Sequence, residues 1–139
     1  MASQIERPKV YANFRPTLRE RLAAKGNSSW RDDRPGMSEE HLALIRQMPC
    51  AVCLTMPAGE AHHLKQGTGE RGMAIRSSDR WAVPLCPADH GEVERAGSRN
   101  ETTWFAGRGI TDALDLAAAL WRVSGDLPRM IAALMAHRA

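Results

Sequence analysis

The sequence predicts an α+β fold in which a two-strand hairpin and the helix after it are held by metal and flanked by further helices. Two pairs of metal-ligating residues carry this prediction, Cys50 with Cys53 and Cys86 with Asp89. Each pair is separated by two residues, which is the spacing of a structural zinc site with two knuckles. Capping residues and apolar faces on either side of these pairs predict the flanking helices.

Charge is unevenly placed along the chain of 139 residues, whose formal net charge is +3. Residues 1–36 hold eight Lys and Arg against four Asp and Glu, a net charge of +4, and residues 37–139 have a net charge of −1. We therefore expect a basic, flexible N-terminal arm followed by one folded domain. Basic arms often contact nucleic acid, and a solvated leader is the alternative.

The three cysteines cannot all pair within one chain. The first residues are polar, unlike a secretory leader. Apolar runs stay well short of the roughly 18 residues of a membrane span. We expect a cytoplasmic protein with reduced thiols and no membrane partner, in which the cysteines bind metal.

The first predicted helix begins after Ser38, a plausible N-cap followed by two acids in the first turn. Leu42, Ile45 and Met48 recur at helical spacing and form its apolar face. Pro49 ends this helix directly before the first cysteine.

Two strands and a helix are predicted in the middle of the chain. Residues 60–65 and 81–85 have strand length, and a Gly-rich loop over 66–79 joins them. Pro84 places the second strand at an edge, or marks its end. The helix runs from Pro87 to Ala96 and stops at the glycine that follows. Two more helices, capped by Thr111 and Asp126, are expected to pack as core without chemistry.

A zinc ion needs four ligands in a tetrahedron. Cys50 and Cys53 can meet one ion across a tight turn, and Cys86 can meet it from the start of the following helix. The sequence alone leaves the fourth ligand open. Asp89 has the right spacing but is a harder ligand than thiolate or imidazole, and His90 next to it would give a Cys3His site instead.

The adjacent histidines His62 and His63 fall in a predicted strand and so point to opposite faces. A hairpin followed by a helix brings His90 towards this pair, and Glu94 lies one turn further on the same helical face. His62, His90 and Glu94 could hold one divalent ion with open positions. His63 would then act as general base.

These motifs, Cys-Ala-Val-Cys, Ala-His-His-Leu and Trp-Ala-Val-Pro-Leu-Cys-Pro-Ala-Asp-His within residues 49–97, resemble the HNH (ββα-metal) nucleases, in particular small phage and prophage proteins related to recombination-enhancement nucleases. The resemblance implies a ββα-metal core with zinc knuckles and a metal-dependent DNA endonuclease that leaves 5′-phosphate and 3′-hydroxyl ends. It implies that His62 and His90 bind the catalytic metal and that His63 is the general base.

Three positions depart from the family. Asp89 stands where the family usually has Cys or His. The middle Asn of the HNH name, which orients the base, has no clear counterpart, so that Asp79 or a backbone carbonyl would have to serve. Relatives often have His at the position of Glu94, and an acidic ligand there favours Mg²⁺ or Mn²⁺ as the catalytic ion.

Nucleic acid, with DNA preferred, is therefore the expected partner. Arg71, Arg76 and Arg80 lie in or beside the long loop and could contact phosphates, although solvated loop charges are an equal alternative. The alternative function is a non-catalytic, zinc-stabilised module that binds nucleic acid or protein.

Overall fold

The computed structural model describes residues 36–70 and 77–138, which form a mixed α/β fold with a small antiparallel sheet. The predicted N-terminal arm therefore lies outside the described residues, apart from Gly36. Five helices and two strands occur in these ranges: α1 Glu39–Gln47, β1 Glu60–His63, β2 Ala82–Leu85, α2 Pro87–Ala96, α3 Glu101–Ala106, α4 Ala113–Arg122 and α5 Leu127–Ala136. Single 3-10 turns span Asp79–Trp81 and Ser98–Asn100.

The sheet is a single hairpin in which His62 lies opposite Val83 and His63 opposite Ala82. Pro84 has no N–H to donate, but its carbonyl oxygen accepts a hydrogen bond from the Ala51 N–H at 2.9 Å. The loop that carries the first two cysteines is thereby tied to the edge of β2.

Both strands are shorter than predicted. The first ends at His63 because the N–H of Lys65 turns away and donates to Glu101 Oε1 at 2.8 Å. Trp81 belongs to a 3-10 turn, and its indole N–H donates to Glu70 Oε2 at 3.1 Å. Apolar patterning does not predict either strand end, because both depend on acidic side chains elsewhere in the chain.

Helices α1 and α2 form where the sequence predicts them. Ser38 caps α1 by accepting from the His41 N–H at 3.1 Å. Leu42, Ile45 and Met48 are all buried, which confirms the predicted apolar face. The bounds of α2 also agree with the prediction.

The C-terminal caps are only partly as predicted. Asp126 caps α5, with its Oδ1 accepting from the Arg129 N–H at 3.2 Å. The prediction of Thr111 as the cap of α4 is wrong, because Asp112 Oδ1 accepts from the Asp115 N–H at 2.9 Å and takes that role. A carboxylate also interacts better than a hydroxyl with the positive end of a helix.

The core lies where α1, α2 and α4 pack on the sheet, with α5 against α4. Its largest side chains are fully buried, among them Ile45, Leu85, Phe105, Leu116 and Leu120. None of the helices within 36–70 and 77–138 is long and apolar enough to cross a membrane. The hairpin is thus held by contacts with α1, α2 and α4.

His41 gives this core a pH-dependent stability. The side chain is 1% exposed, and its Nδ1 lies 2.7 Å from Ser124 Oγ. Burial lowers its pKa to about 4, against a smaller raising effect of Asp79. The unfolded chain binds a proton near pH 6.5, whereas the folded protein does so only near pH 4. Stability is therefore full above pH 6.5, and about 2–3 kcal/mol of it is lost as the pH falls towards 4.

Urea unfolding at pH 7.5 and pH 4.5 would measure this loss. The His41→Asn variant places an amide atom at the position of Nδ1 and so can keep the hydrogen bond to Ser124, but it does not titrate. We expect its free energy of unfolding to fall less between the two pH values than that of the wild type. Equal losses in both proteins would show that His41 is not responsible.

Candidate metal centres

Four ligands meet where the loop after α1 approaches the start of α2; we call Cys50, Cys53, Cys86 and Asp89 the cysteine group. One ligand atom from each lies within 4.8 Å of the other three. Asp89 Oδ2 is 3.3 Å from Cys50 Sγ and 3.2 Å from Cys86 Sγ. Cys53 Sγ is 3.7 Å from Cys86 Sγ, too far for a disulfide, and all three cysteines are free. This group could hold a metal ion.

The thiols of the cysteine group differ in their acidity. Burial raises the pKa of Cys50 to about 12, and burial also raises the pKa of Cys86. Cys53 is exposed, and a side-chain hydrogen bond with Thr55 lowers its pKa. Metal binding requires thiolates, so we expect it to release protons from at least the two raised thiols at neutral pH.

The far end of the chain holds the cysteine loop in place. Arg138, just after α5, donates from Nη1 to the carbonyl oxygens of Ala51 and Val52, the latter at 2.9 Å. These two residues lie between the first two cysteines. A guanidinium that bridges both carbonyls fixes the turn that points the two thiols at one place.

Replacing Arg138 with alanine is expected to weaken metal binding by the cysteine group and to cost about 1.5–3 kcal/mol of stability, the range of hydrogen bonds to charged groups. The measurement is zinc affinity by competition with a chromophoric chelator, together with urea unfolding. Arg129→Ala is the matched control, since Arg129 is an exposed cation on α5. Equal zinc affinities in the two variants would refute a role for Arg138 in fixing the loop.

A second group forms where β1 faces α2; we call His62, His90 and Glu94 the histidine group. One ligand atom of each lies within 4.8 Å of the others. Glu94 Oε2 is 3.3 Å from His62 Nδ1 and 3.5 Å from His90 Nε2. His62 Nδ1 is buried and has no hydrogen-bond partner within residues 36–70 and 77–138. This group too could hold a metal ion, separately from the cysteine group.

Glu94 is held in its place by a cation. Its Oε1 accepts from Lys65 Nζ at 2.7 Å, while Oε2 faces the two histidines. Burial alone would raise the pKa of Glu94, but the hydrogen bond and charge of Lys65, with smaller effects of the histidines, lower it overall. Glu94 is therefore a carboxylate at neutral pH, as a metal ligand must be.

His63 points away from the histidine group and is paired with Asp79. The Nε2 of His63 lies 2.8 Å from Asp79 Oδ1, and the other oxygen of Asp79 accepts from the Ser38 N–H at 2.8 Å. An ionised carboxylate can only accept, so Nε2 is the donor to it, and in the neutral ring of His63 the lone pair is then on Nδ1. Asp79 is 3% exposed and fixed from two sides, which gives the His63 ring a defined orientation.

Sequence patterning did not find two carboxylates that contact the histidine group. Glu60 Oε1 lies 2.6 Å from His90 Nδ1, across from α2. Glu101 Oε2 lies 2.7 Å from His62 Nε2, and Glu101 is buried. Glu60 stands two residues before His62 and so on the same face of β1, a signal that alternation could have supplied. Glu101 gave no such signal, because it is far away in sequence.

The predicted phosphate contacts are mostly outside the described part of the chain, since Arg71 and Arg76 fall in the undescribed loop. Arg80 is exposed, with its guanidinium carbon 5.2 Å from the centroid of the Trp81 ring. For Arg80 the role in nucleic-acid binding stays a prediction.

The fold and the candidate site define this protein as a mixed α/β domain with two separate groups of possible metal ligands. Residues 32–118, well over half of the chain, match a family described as a protein of unknown function, DUF968, and the chain belongs to that family. A segment of 60 residues is 37% identical to the uncharacterized protein YdfU of Escherichia coli (strain K12). It covers 43% of this chain and 17% of that protein. No solved structure matches significantly.

Proposed function

We propose that the protein is a metal-dependent DNA endonuclease of the HNH (ββα-metal) type, with a structural zinc ion in the cysteine group and Mg²⁺ or Mn²⁺ in the histidine group. One observation carries the proposal. The hairpin and α2 bring His62, His90 and Glu94 together, and the buried His62 Nδ1 faces Glu94 Oε2 at 3.3 Å without a hydrogen bond. A lone pair facing a carboxylate oxygen is unfavourable unless a cation lies between them.

Donor chemistry supports the choice of ions. Beside two imidazole nitrogens, the histidine group offers a carboxylate, the ligand type that suits Mn²⁺ or Mg²⁺. It has only three protein ligands, so positions would remain for water and phosphate. The cysteine group offers three thiols and one carboxylate, which is a zinc-type set.

Spacing within the cysteine group also fits zinc. Ligands about 2.3 Å from a tetrahedral zinc ion stand about 3.8 Å apart. The separation of 3.7 Å between Cys53 Sγ and Cys86 Sγ is close to that value. The separations of 3.2 and 3.3 Å from thiol to Asp89 Oδ2 are shorter, as a smaller oxygen ligand requires. His90 is engaged with Glu60 and Glu94, which favours Asp89 as the fourth ligand.

The proposed chemistry relies on His63. Its Nδ1 accepts a proton from the attacking water, while Asp79 holds the ring through Nε2 and stabilises the imidazolium that forms. Lys65 keeps Glu94 ionised and in position. When bound, the divalent ion would polarise the scissile phosphate and stabilise the leaving oxygen. Arg80, with Arg71, Arg76 and the basic N-terminal arm, would contact the DNA backbone.

Purified protein incubated with supercoiled plasmid or single-stranded DNA, plus Mg²⁺ or Mn²⁺, tests the proposal. We expect nicking or cleavage by the wild type and a large loss in Glu94→Gln, which lacks a charged metal ligand. Glu92→Gln is the matched control on the same helix, since Glu92 is outside both metal groups. It accepts hydrogen bonds from the side chains of Arg108 and Trp104. Absence of cleavage by folded, zinc-loaded wild type would favour a zinc-stabilised binding module instead.

A further inference from the structure

Glu101 is a carboxylate with three hydrogen-bond donors around it. It lies in the first turn of α3 and is 3% exposed. Its Oε1 accepts from the backbone N–H groups of Lys65 at 2.8 Å and Gln66 at 2.9 Å. Its Oε2 lies 2.7 Å from His62 Nε2. Acidic side chains are rarely buried as completely as this one. The second oxygen of Glu101 contacts a candidate metal ligand.

These contacts determine where His62 carries its proton. An ionised carboxylate has no hydrogen to donate, so His62 Nε2 must be the donor. Neutral imidazole has one N–H, and the proton on Nε2 leaves Nδ1 as a bare lone pair. That nitrogen is the buried atom that faces Glu94 Oε2 at 3.3 Å.

The backbone contacts of Glu101 fix the carboxylate itself. Both N–H groups belong to the segment that directly follows β1, the strand that carries His62. The same segment returns a hydrogen bond to α3, because Gln66 Oε1 accepts from the Thr102 N–H at 2.9 Å. Glu101 therefore cannot swing away from His62 without breaking the connection between α3 and the end of β1.

From this geometry we infer that Glu101 is a positioning residue that holds His62 as the Nε2-protonated tautomer and directs its Nδ1 at the metal position. The inference rests on the proposed use of the histidine group as a metal site. Carboxylate–histidine–metal arrangements of this kind raise metal affinity because the ring is already oriented and in the correct protonation state.

Glu101→Gln separates this role from a purely structural one. The glutamine oxygen is needed by the two backbone N–H groups, so the NH2 group turns towards His62. An NH2 donor there requires a lone pair on Nε2, which moves the ring proton to Nδ1, the atom meant for the metal. The variant should remain folded, since size and backbone contacts are kept, but should bind metal poorly.

Two measurements test the inference. The first is Mn²⁺ affinity of zinc-loaded protein by calorimetry, expected to fall about 10- to 100-fold in Glu101→Gln and to stay unchanged in Glu92→Gln. The second is a long-range proton–nitrogen spectrum of the histidine rings at pH 8, without Mn²⁺, with His62 assigned by its absence in His62→Asn. We expect a protonated Nε2 in the wild type and a protonated Nδ1 in Glu101→Gln.

The outcomes distinguish this inference from the proposed function. Wild-type protein that binds Mn²⁺ and cleaves DNA, beside a Glu101→Gln variant with equal affinity, overturns the inference alone. Wild-type protein that neither binds Mn²⁺ nor cleaves overturns the function, while the ring spectrum still decides the tautomer. Any wild-type spectrum other than a protonated Nε2 with a bare Nδ1 overturns the inference, even if Glu101→Gln does not fold.

Discussion

Alanine in place of His63 is expected to lower the rate of DNA cleavage by about a hundred- to ten-thousand-fold, the usual contribution of a general base. Mn²⁺ affinity should stay the same, because His63 points away from the histidine group and towards Asp79. The measurement is single-turnover nicking of supercoiled plasmid at saturating Mn²⁺, with calorimetry on the same preparation.

His137→Ala is the matched control for this prediction. His137 also pairs with a carboxylate, at 2.9 Å from Asp115 Oδ2, but it lies at the end of α5 and outside both metal groups. Its replacement should leave the nicking rate unchanged. If His63→Ala cleaves as fast as this control, the base is another group, and the pairing with Asp79 only supports the fold.

Removal of zinc with a strong chelator is expected to unfold the domain cooperatively. The cysteine group joins the loop after α1 to the start of α2, and the sheet between them has only two strands. Structural zinc contributes roughly 10 kcal/mol or more in small domains at neutral pH, as much as the whole stability of a typical protein. Circular dichroism should therefore show loss of helix on chelation and recovery when zinc is returned.

Metal specificity provides the control for this second prediction. Mg²⁺ added to the chelated protein should not restore the helices, since it binds thiolates poorly. Glu94→Gln should unfold and refold with zinc as the wild type does, because the histidine group is separate. A chelated protein with an unchanged spectrum and an unchanged urea midpoint would mean that the cysteine group is not a structural metal site.

Local sequence signals predicted those elements whose bounds depend only on residues within the element or next to it. The cap at Ser38 and the apolar face of α1, like the bounds of α2 between Pro87 and the glycine after Ala96, depend on neighbours within a turn or two. Residue spacing predicted the members of the cysteine group, and the expected hairpin and following helix predicted those of the histidine group. Helix propensity and ligand spacing are local properties, and a single sequence reports them well.

Tertiary contacts determined what the sequence did not reveal. Glu101 is 39 residues from His62, so no local pattern connects these two residues. Glu60 is 30 residues from His90, and only its alternation with His62 along β1 could have pointed to it. The short helix α3 was not singled out, although it carries Glu101. The observed strand ends differ from the predicted ones for the same reason, because Lys65 and Trp81 each donate a hydrogen bond to a distant carboxylate. Metal ligands often follow a fixed spacing along the sequence, whereas the side chains that position those ligands do not.

Helix α2 contributes to both metal groups through consecutive residues, Asp89 to one and His90 to the other. Neighbours on a helix project about 100° apart, and the backbone between them is rigid. Small rotations of this turn must therefore shift a ligand in each group together. If both groups bind metal as proposed, we expect an ion bound at one group to alter metal affinity at the other by a factor that is the same in both directions. Zinc bound by the cysteine group would then set the affinity of the histidine group for its own ion.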